Sequence, residues 1–140
     1  MNRLSILHDS TWKPALLSSV LCWLAFPPVG WSVLAWVAPI GWLACVRREE
    51  LAGQRPYRSL WVAGTLFWLL TIHWLRLPHP VNYLAWVLLA SYLGCYLPVF
   101  VALSRVGVHR LRWPLWLVAP VVWTGLEWVR GHLMTGFLMG

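Results

Sequence analysis

Apolar runs broken at short intervals by arginine or proline dominate this chain, and they leave few folds open to it. About five of them are candidate helices, covering roughly residues 14–26, 31–46, 59–75, 81–103 and 113–129, against the ~20 residues that a bilayer-crossing helix needs. A soluble domain of this size keeps roughly a third of its unfolded surface in water. Only 11 Lys+Arg and 4 Asp+Glu stand among 140 residues, too few to cover such a surface. With 60% hydrophobic residues and a mean hydropathy of +0.65, the sequence predicts an all-α fold, a polytopic transmembrane helix bundle forming one domain over residues 1–140. Hydrocarbon offers a peptide group no partner, so each span must satisfy its own backbone as helix.

The breaks refine this outline. Pro14 suits a first helical turn, and Pro27-Pro28 forces an end to the first run. Pro27-Pro28-Val29-Gly30 reads as a tight turn, and Pro39 as a kink within the second run. Both runs are short for a full crossing, so they are expected to form a short helical hairpin. The first run ends in Phe26-Pro27-Pro28 and not in a small-residue cleavage site, so its helix is expected to stay attached. Arg76-Leu77-Pro78-His79-Pro80 is a second turn, between the third and fourth runs.

Charge gives the orientation. With the N-terminus inside, the inner segments hold Arg3, Lys13, Arg47, Arg48, Arg55, Arg58, Arg105, Arg110 and Arg112, nine of the 11 cations, and the outer ones hold Arg76 and Arg130. Cytoplasmic loops retain positive charge, so five spans with a cytoplasmic N-terminus are self-consistent. The net charge of +7 does not imply nucleic acid as a partner, because the cations sit in short clusters between apolar runs and not on one water-facing stripe. Arg47-Arg48 and the Arg105 to Arg112 cluster read as topology determinants that also touch anionic lipid.

Trp12, Trp31, Trp74, Trp113 and Trp128 fall at the ends of the runs, where an amphipathic ring prefers the headgroup region. Trp68 and Trp86 lie deeper and are expected between helices. Gly64, Ala90, Ser91 and Gly94 are small enough to let helices approach closely. Cys22, Cys45 and Cys95 read as small buried hydrophobes, and no cysteine pair has redox or zinc spacing. His73 and His79 lack a third ligand at useful spacing. Glu127 and Arg130 are three residues apart, adjoining on a helix. An ion pair that fixes the helix end, a general acid or base, and contact with a lipid headgroup or partner domain are the roles open to them. No phosphate-cradling glycine loop, paired-carboxylate site or Ser/His/Asp arrangement is visible.

Longer strings carry a resemblance. Leu24-Ala25-Phe26-Pro27-Pro28-Val29-Gly30-Trp31, with Leu34-Ala35-Trp36-Val37-Ala38-Pro39 after it, resembles the opening hairpin of bacterial apolipoprotein N-acyltransferases. Ala63-Gly64-Thr65-Leu66-Phe67-Trp68 with His73-Trp74-Leu75 is similar to their third span. Glu127-Trp128-Val129-Arg130-Gly131-His132-Leu133-Met134-Thr135-Gly136-Phe137 is similar to their Glu-Trp-x-Arg-Gly…Thr-Gly-Phe signature, although Leu138-Met139 follows where many members carry Pro-Trp.

The resemblance implies an inner-membrane enzyme that moves an acyl chain from a phospholipid to the N-terminal amine of a diacylglyceryl-cysteine lipoprotein. It implies that chemistry belongs to a nitrilase-like domain outside the membrane, whose Glu, Lys and Cys triad forms a thioester. None of those three residues carries over to these 140 positions, so no catalytic residue, cofactor or metal site is expected in them. Glu127, Trp128, Arg130, Gly131, Thr135, Gly136 and Phe137 remain as candidates for contact with lipid or with the catalytic domain. On this reading the chain is the N-terminal part of a membrane scaffold, from a truncated gene, a fragment or a split protein, and is inactive alone. Its partners are then membrane phospholipid, a nitrilase-like domain or chain, and the lipoprotein substrate. The competing expectation is a small non-enzymatic membrane scaffold or a transporter subunit.

Overall fold

Proline and glycine punctuate the structure where the sequence places them. The computed structural model describes residues 11–26, 29–77 and 79–133, and among these every regular element is helical. Helix α1 spans Trp12–Ala25, with Pro14 in its first turn. The Pro27-Pro28 pair lies outside the described residues. Just beyond it Gly30 takes φ +68, a left-handed conformation open to a residue without Cβ. The chain then folds back on α1, with the Trp31 amide donating to the Leu24 carbonyl at 3.1 Å.

The second run departs from the kinked helix expected around Pro39. It forms a 3-10 turn over Ser32–Trp36 and then helix α2 over Ile40–Arg47, with Pro39 as the residue that caps α2. Pro39 has no N–H to donate backward, so the helix starts anew there. The hairpin itself is present: the Trp42 indole donates to the Ala15 carbonyl at 3.2 Å. Thr11 Oγ1 donates to the Ala52 carbonyl at 2.6 Å, tying the start of α1 to the loop before the next helix.

Helix α3, Pro56–Thr71, begins with proline in its first turn and starts three residues earlier than expected; a 3-10 turn over His73–Arg76 follows it. The fourth run is divided into α4, Asn82–Gly94, and α5, Tyr96–Arg105, and extends through a wide turn over Val106–Arg110. Pro98 explains the division, because its ring clashes with the carbonyl four residues back, that of Gly94. Asn82–Arg110 together make a 29-residue rod, and among the described residues this is the one helix long and apolar enough to cross a membrane by length and composition. Helix α6, Leu115–Leu133, runs through Pro120 without ending and continues past the expected end at residue 129.

Packing follows small residues. A Cβ on Gly64 would stand 2.8 Å from the Gly94 carbonyl oxygen, so α3 and α4 cross with backbones nearly touching. Two indoles stitch the crossing: Trp61 donates to the Ser91 carbonyl at 3.0 Å and Trp86 to the Leu69 carbonyl at 3.2 Å. Such bonds and close contacts matter because lipid tails are as apolar as leucine and give helices little reason to associate. Leu60, Val46, Val101 and Phe100 fill the centre, with a smaller cluster at Ile72, Ala90 and Leu93. The outward face is apolar as well, with Trp36 87% and Trp116 77% exposed. Trp12, Trp31, Trp74, Trp113 and Trp128, placed at run ends by the sequence, are all exposed. Cys45 is buried as expected and Cys22 partly so, but Cys95 is exposed. Cys95 lies in the α4–α5 break, with its thiol 3.4 Å from the Ser91 carbonyl.

Candidate functional site

Helix α6 divides the motif near its end between two faces. An Arg130 terminal nitrogen donates to Glu127 Oε2 at 2.5 Å, and Arg130 is only 8% exposed. The Arg130 guanidinium carbon lies 5.5 Å from the centre of the Trp68 ring on α3. Its Nε is buried and, among the described residues, has no hydrogen-bond partner. Trp128 points the other way, 65% exposed, with its ring 4.2 Å from that of His132 one turn on. Gly131 is half-buried between the two faces. Thr135, Gly136 and Phe137 lie outside the described residues.

The pair stands at the described end of α6, with Arg130 in the last turn, as the helix-end ion pair open from sequence requires. Gly107 packs on Val118, and the Phe100 and Trp123 rings are 5.4 Å apart, so α5 and α6 run antiparallel. The buried Arg130 charge needs its neighbours: Glu127 neutralises it and the Trp68 face attracts it, an interaction worth about 2 kcal/mol when desolvated. Above it, Tyr92 and Tyr96 join their hydroxyls at 2.7 Å.

A second polar constellation sits at the opposite end of the bundle. Arg105 on α5 donates to the carbonyls of Cys45 at 3.3 Å and Glu49 at 2.8 Å, and to that of Arg48 between them. The His109 Nε2 lies 2.9 Å from the Val46 carbonyl. The last carbonyls of α2 have no partner within their own helix, and these two side chains supply it. Arg105 is therefore a structural cap, a role the sequence reading of a topology-setting, lipid-touching cluster did not include. Trp68, Tyr92 and Tyr96 were not singled out beside the Glu127 motif, because nothing local in sequence brings three helices to one level.

Among the described residues, no three His, Cys, Asp or Glu side chains lie close enough together to hold a metal ion. The arrangement around Arg130 is suited to holding helices and to attracting an anion, since one guanidinium nitrogen is left unsatisfied.

Comparison with known proteins settles which family has this bundle. The profile of the apolipoprotein N-acyltransferase N-terminal domain matches residues 18–140. The chain belongs to the apolipoprotein N-acyltransferase family. The apolipoprotein N-acyltransferase of Rhodopirellula baltica is 36% identical over 137 residues, covering 89% of this chain and 24% of that protein. Those of Geobacter metallireducens and Gloeobacter violaceus are each 35% identical, covering 88% and 84% of this chain and 25% and 24% of the respective relatives. The chain thus spans about a quarter of the length of the curated relatives it matches. No solved structure matches it. The Glu127–Arg130 pair and the Gly64–Gly94 crossing both fall within the matched family region.

Proposed function

We propose that these residues form the membrane part of an apolipoprotein N-acyltransferase, crossing the bacterial inner membrane about five times from a cytoplasmic N-terminus, and that they anchor and orient a catalytic domain. The family match over residues 18–140 supports the enzyme class, and the nine-to-two division of cations supports the orientation. The enzyme as a whole takes an acyl chain from membrane phospholipid and delivers it to the N-terminal amine of a lipoprotein. A thioester on an activated cysteine of the catalytic domain suits such a two-step transfer. Cys22, Cys45 and Cys95 belong to the helical bundle and have no part in that step, so these 140 residues alone are inactive.

The observation that carries the reading is the buried Arg130 of the family signature, paired with Glu127 and laid on Trp68. A buried charge in a membrane bundle is costly and functional by default. It locks α6 to α3. The test is a chimera in which this chain replaces the matching quarter of the Geobacter metallireducens relative. Lipoprotein N-acylation is expected in cells depleted of their own enzyme. A chimera that inserts in the membrane yet acylates nothing contradicts the proposal.

A further inference from the structure

An open groove of about 570 Å³ runs between α1, α3 and the start of α4, far from the Glu127–Arg130 pair in sequence. Its walls are Leu16, Val20 and Trp23 from α1 and Leu66 and Leu70 from α3. One end is different in kind. His73 and Arg76, from the 3-10 turn after α3, meet Trp86 of α4 there. Trp86 is held by its indole bond to the Leu69 carbonyl, and the Arg76 guanidinium carbon lies 5.4 Å from the centre of its ring. The His73 Nδ1 is 2.8 Å from the Leu70 carbonyl. A carbonyl can only accept, so Nδ1 carries the proton of that bond and Nε2 is left for an outside partner.

Among the described residues, Arg76 has no carboxylate partner. Glu49 and Glu50 precede α3, whereas Arg76 follows it, so the acids of that loop sit at the other end of the helix. A cation fixed on an aromatic face at the mouth of an apolar groove is complementary to one kind of molecule: an anionic head joined to a hydrocarbon chain. Arginine presents a planar fork that matches a phosphodiester.

We infer that this groove seats one glycerophospholipid, with its phosphate on Arg76 and the upper part of one acyl chain between α1 and α3. The inference rests on the membrane reading of the bundle and is independent of where acyl transfer occurs. In a bilayer the groove faces hydrocarbon and a chain fills it; Arg76 turns that filling into selection for a phosphate head.

The test uses the 140-residue chain, purified in detergent, stripped of lipid, and titrated with phosphatidylglycerol while bound lipid is counted by native mass spectrometry. One phosphatidylglycerol per chain is expected to bind, with diacylglycerol of the same chains at least tenfold weaker and inorganic phosphate failing to compete at millimolar concentration. Arg76→Gln is expected to weaken binding about tenfold, as for one lost charge-assisted contact. Leu70→Trp, at a 43% exposed position, fills the groove without altering charge and is expected to abolish binding. Arg58→Gln, at an exposed position outside the groove, is the control and leaves binding unchanged. Helical circular dichroism and the melting temperature are followed for each variant, and if Arg76→Gln unfolds, Leu70→Trp decides. Equal affinity for diacylglycerol and phosphatidylglycerol, or full binding by a folded Leu70→Trp chain, overturns the inference while leaving the family reading intact.

Discussion

Gly64 and Gly94 face each other across α3 and α4 so closely that a methyl group on either meets the opposite backbone. On Gly94 it would stand 2.7 Å from the Thr65 amide nitrogen, and on Gly64 2.8 Å from the Gly94 carbonyl oxygen. Neither obstacle is a flexible side-chain tip that can swing aside. Gly94→Ala is therefore expected to destabilise the bundle by about 1–3 kcal/mol, the usual cost of overpacking, read as a lower melting temperature in detergent. Gly125 on α6 has open space where its Cβ would be. Gly125→Ala should stabilise the same protein by up to about 1 kcal/mol through helix propensity alone.

The Arg105 cap carries its own prediction. Arg105→Met removes the donors that serve Cys45, Arg48 and Glu49 while keeping most of the side-chain volume. Unsatisfied carbonyls cost about 1–3 kcal/mol, so the variant should unfold at lower denaturant. Amide exchange should rise first in α2, Ile40–Arg47, and not in α6. Arg105→Lys should recover part of the loss, having one charge but no planar fork.

A buried pair behaves unlike two independent residues. Glu127→Gln leaves the buried Arg130 charge without its counter-ion and is expected to cost about 1–3 kcal/mol, less than in a fully buried pair because the Glu127 side chain is 35% exposed. Arg130→Met should cost less, because Glu127 has a side chain 35% exposed and can reach polar surroundings. The double variant is expected to be more stable than Glu127→Gln alone, and a thermodynamic cycle in detergent measures the coupling.

Trp61 and Trp86 give a finer prediction. Replacing either with Phe keeps the aromatic bulk but loses an indole donor to the Ser91 or Leu69 carbonyl. Each change is expected to cost about 0.5–1.5 kcal/mol, toward the lower end of the Gly94→Ala effect or beneath it when the variants are compared by thermal unfolding.

Much of the helical outline is written locally. Pro14 marks a helix start because proline has no N–H to give, and Gly30 marks the hairpin because its φ of +68 suits glycine; Pro39, read as a kink, and Pro56, before the expected start at residue 59, mark helix starts too. The spacing of Glu127 and Arg130 foretold their pairing, since three residues return a helix nearly to the same face. What stayed hidden depends on other helices. Arg105 looks like any basic residue after an apolar run until α2 brings its carbonyls within reach. Cys95 reads as core until Pro98 divides the rod beside it. The burial of Arg130 depends on Trp68 of α3, and no single run contains that information.

A bundle with so apolar an outer face belongs in lipid. The direct measurement is alkaline carbonate extraction of membranes from bacteria expressing the chain, with detergent extraction beside it. The chain is expected to stay in the carbonate-washed pellet and to leave it only in detergent. Recovery in the carbonate supernatant as a compact, helical monomer that stays dispersed without detergent would contradict the account.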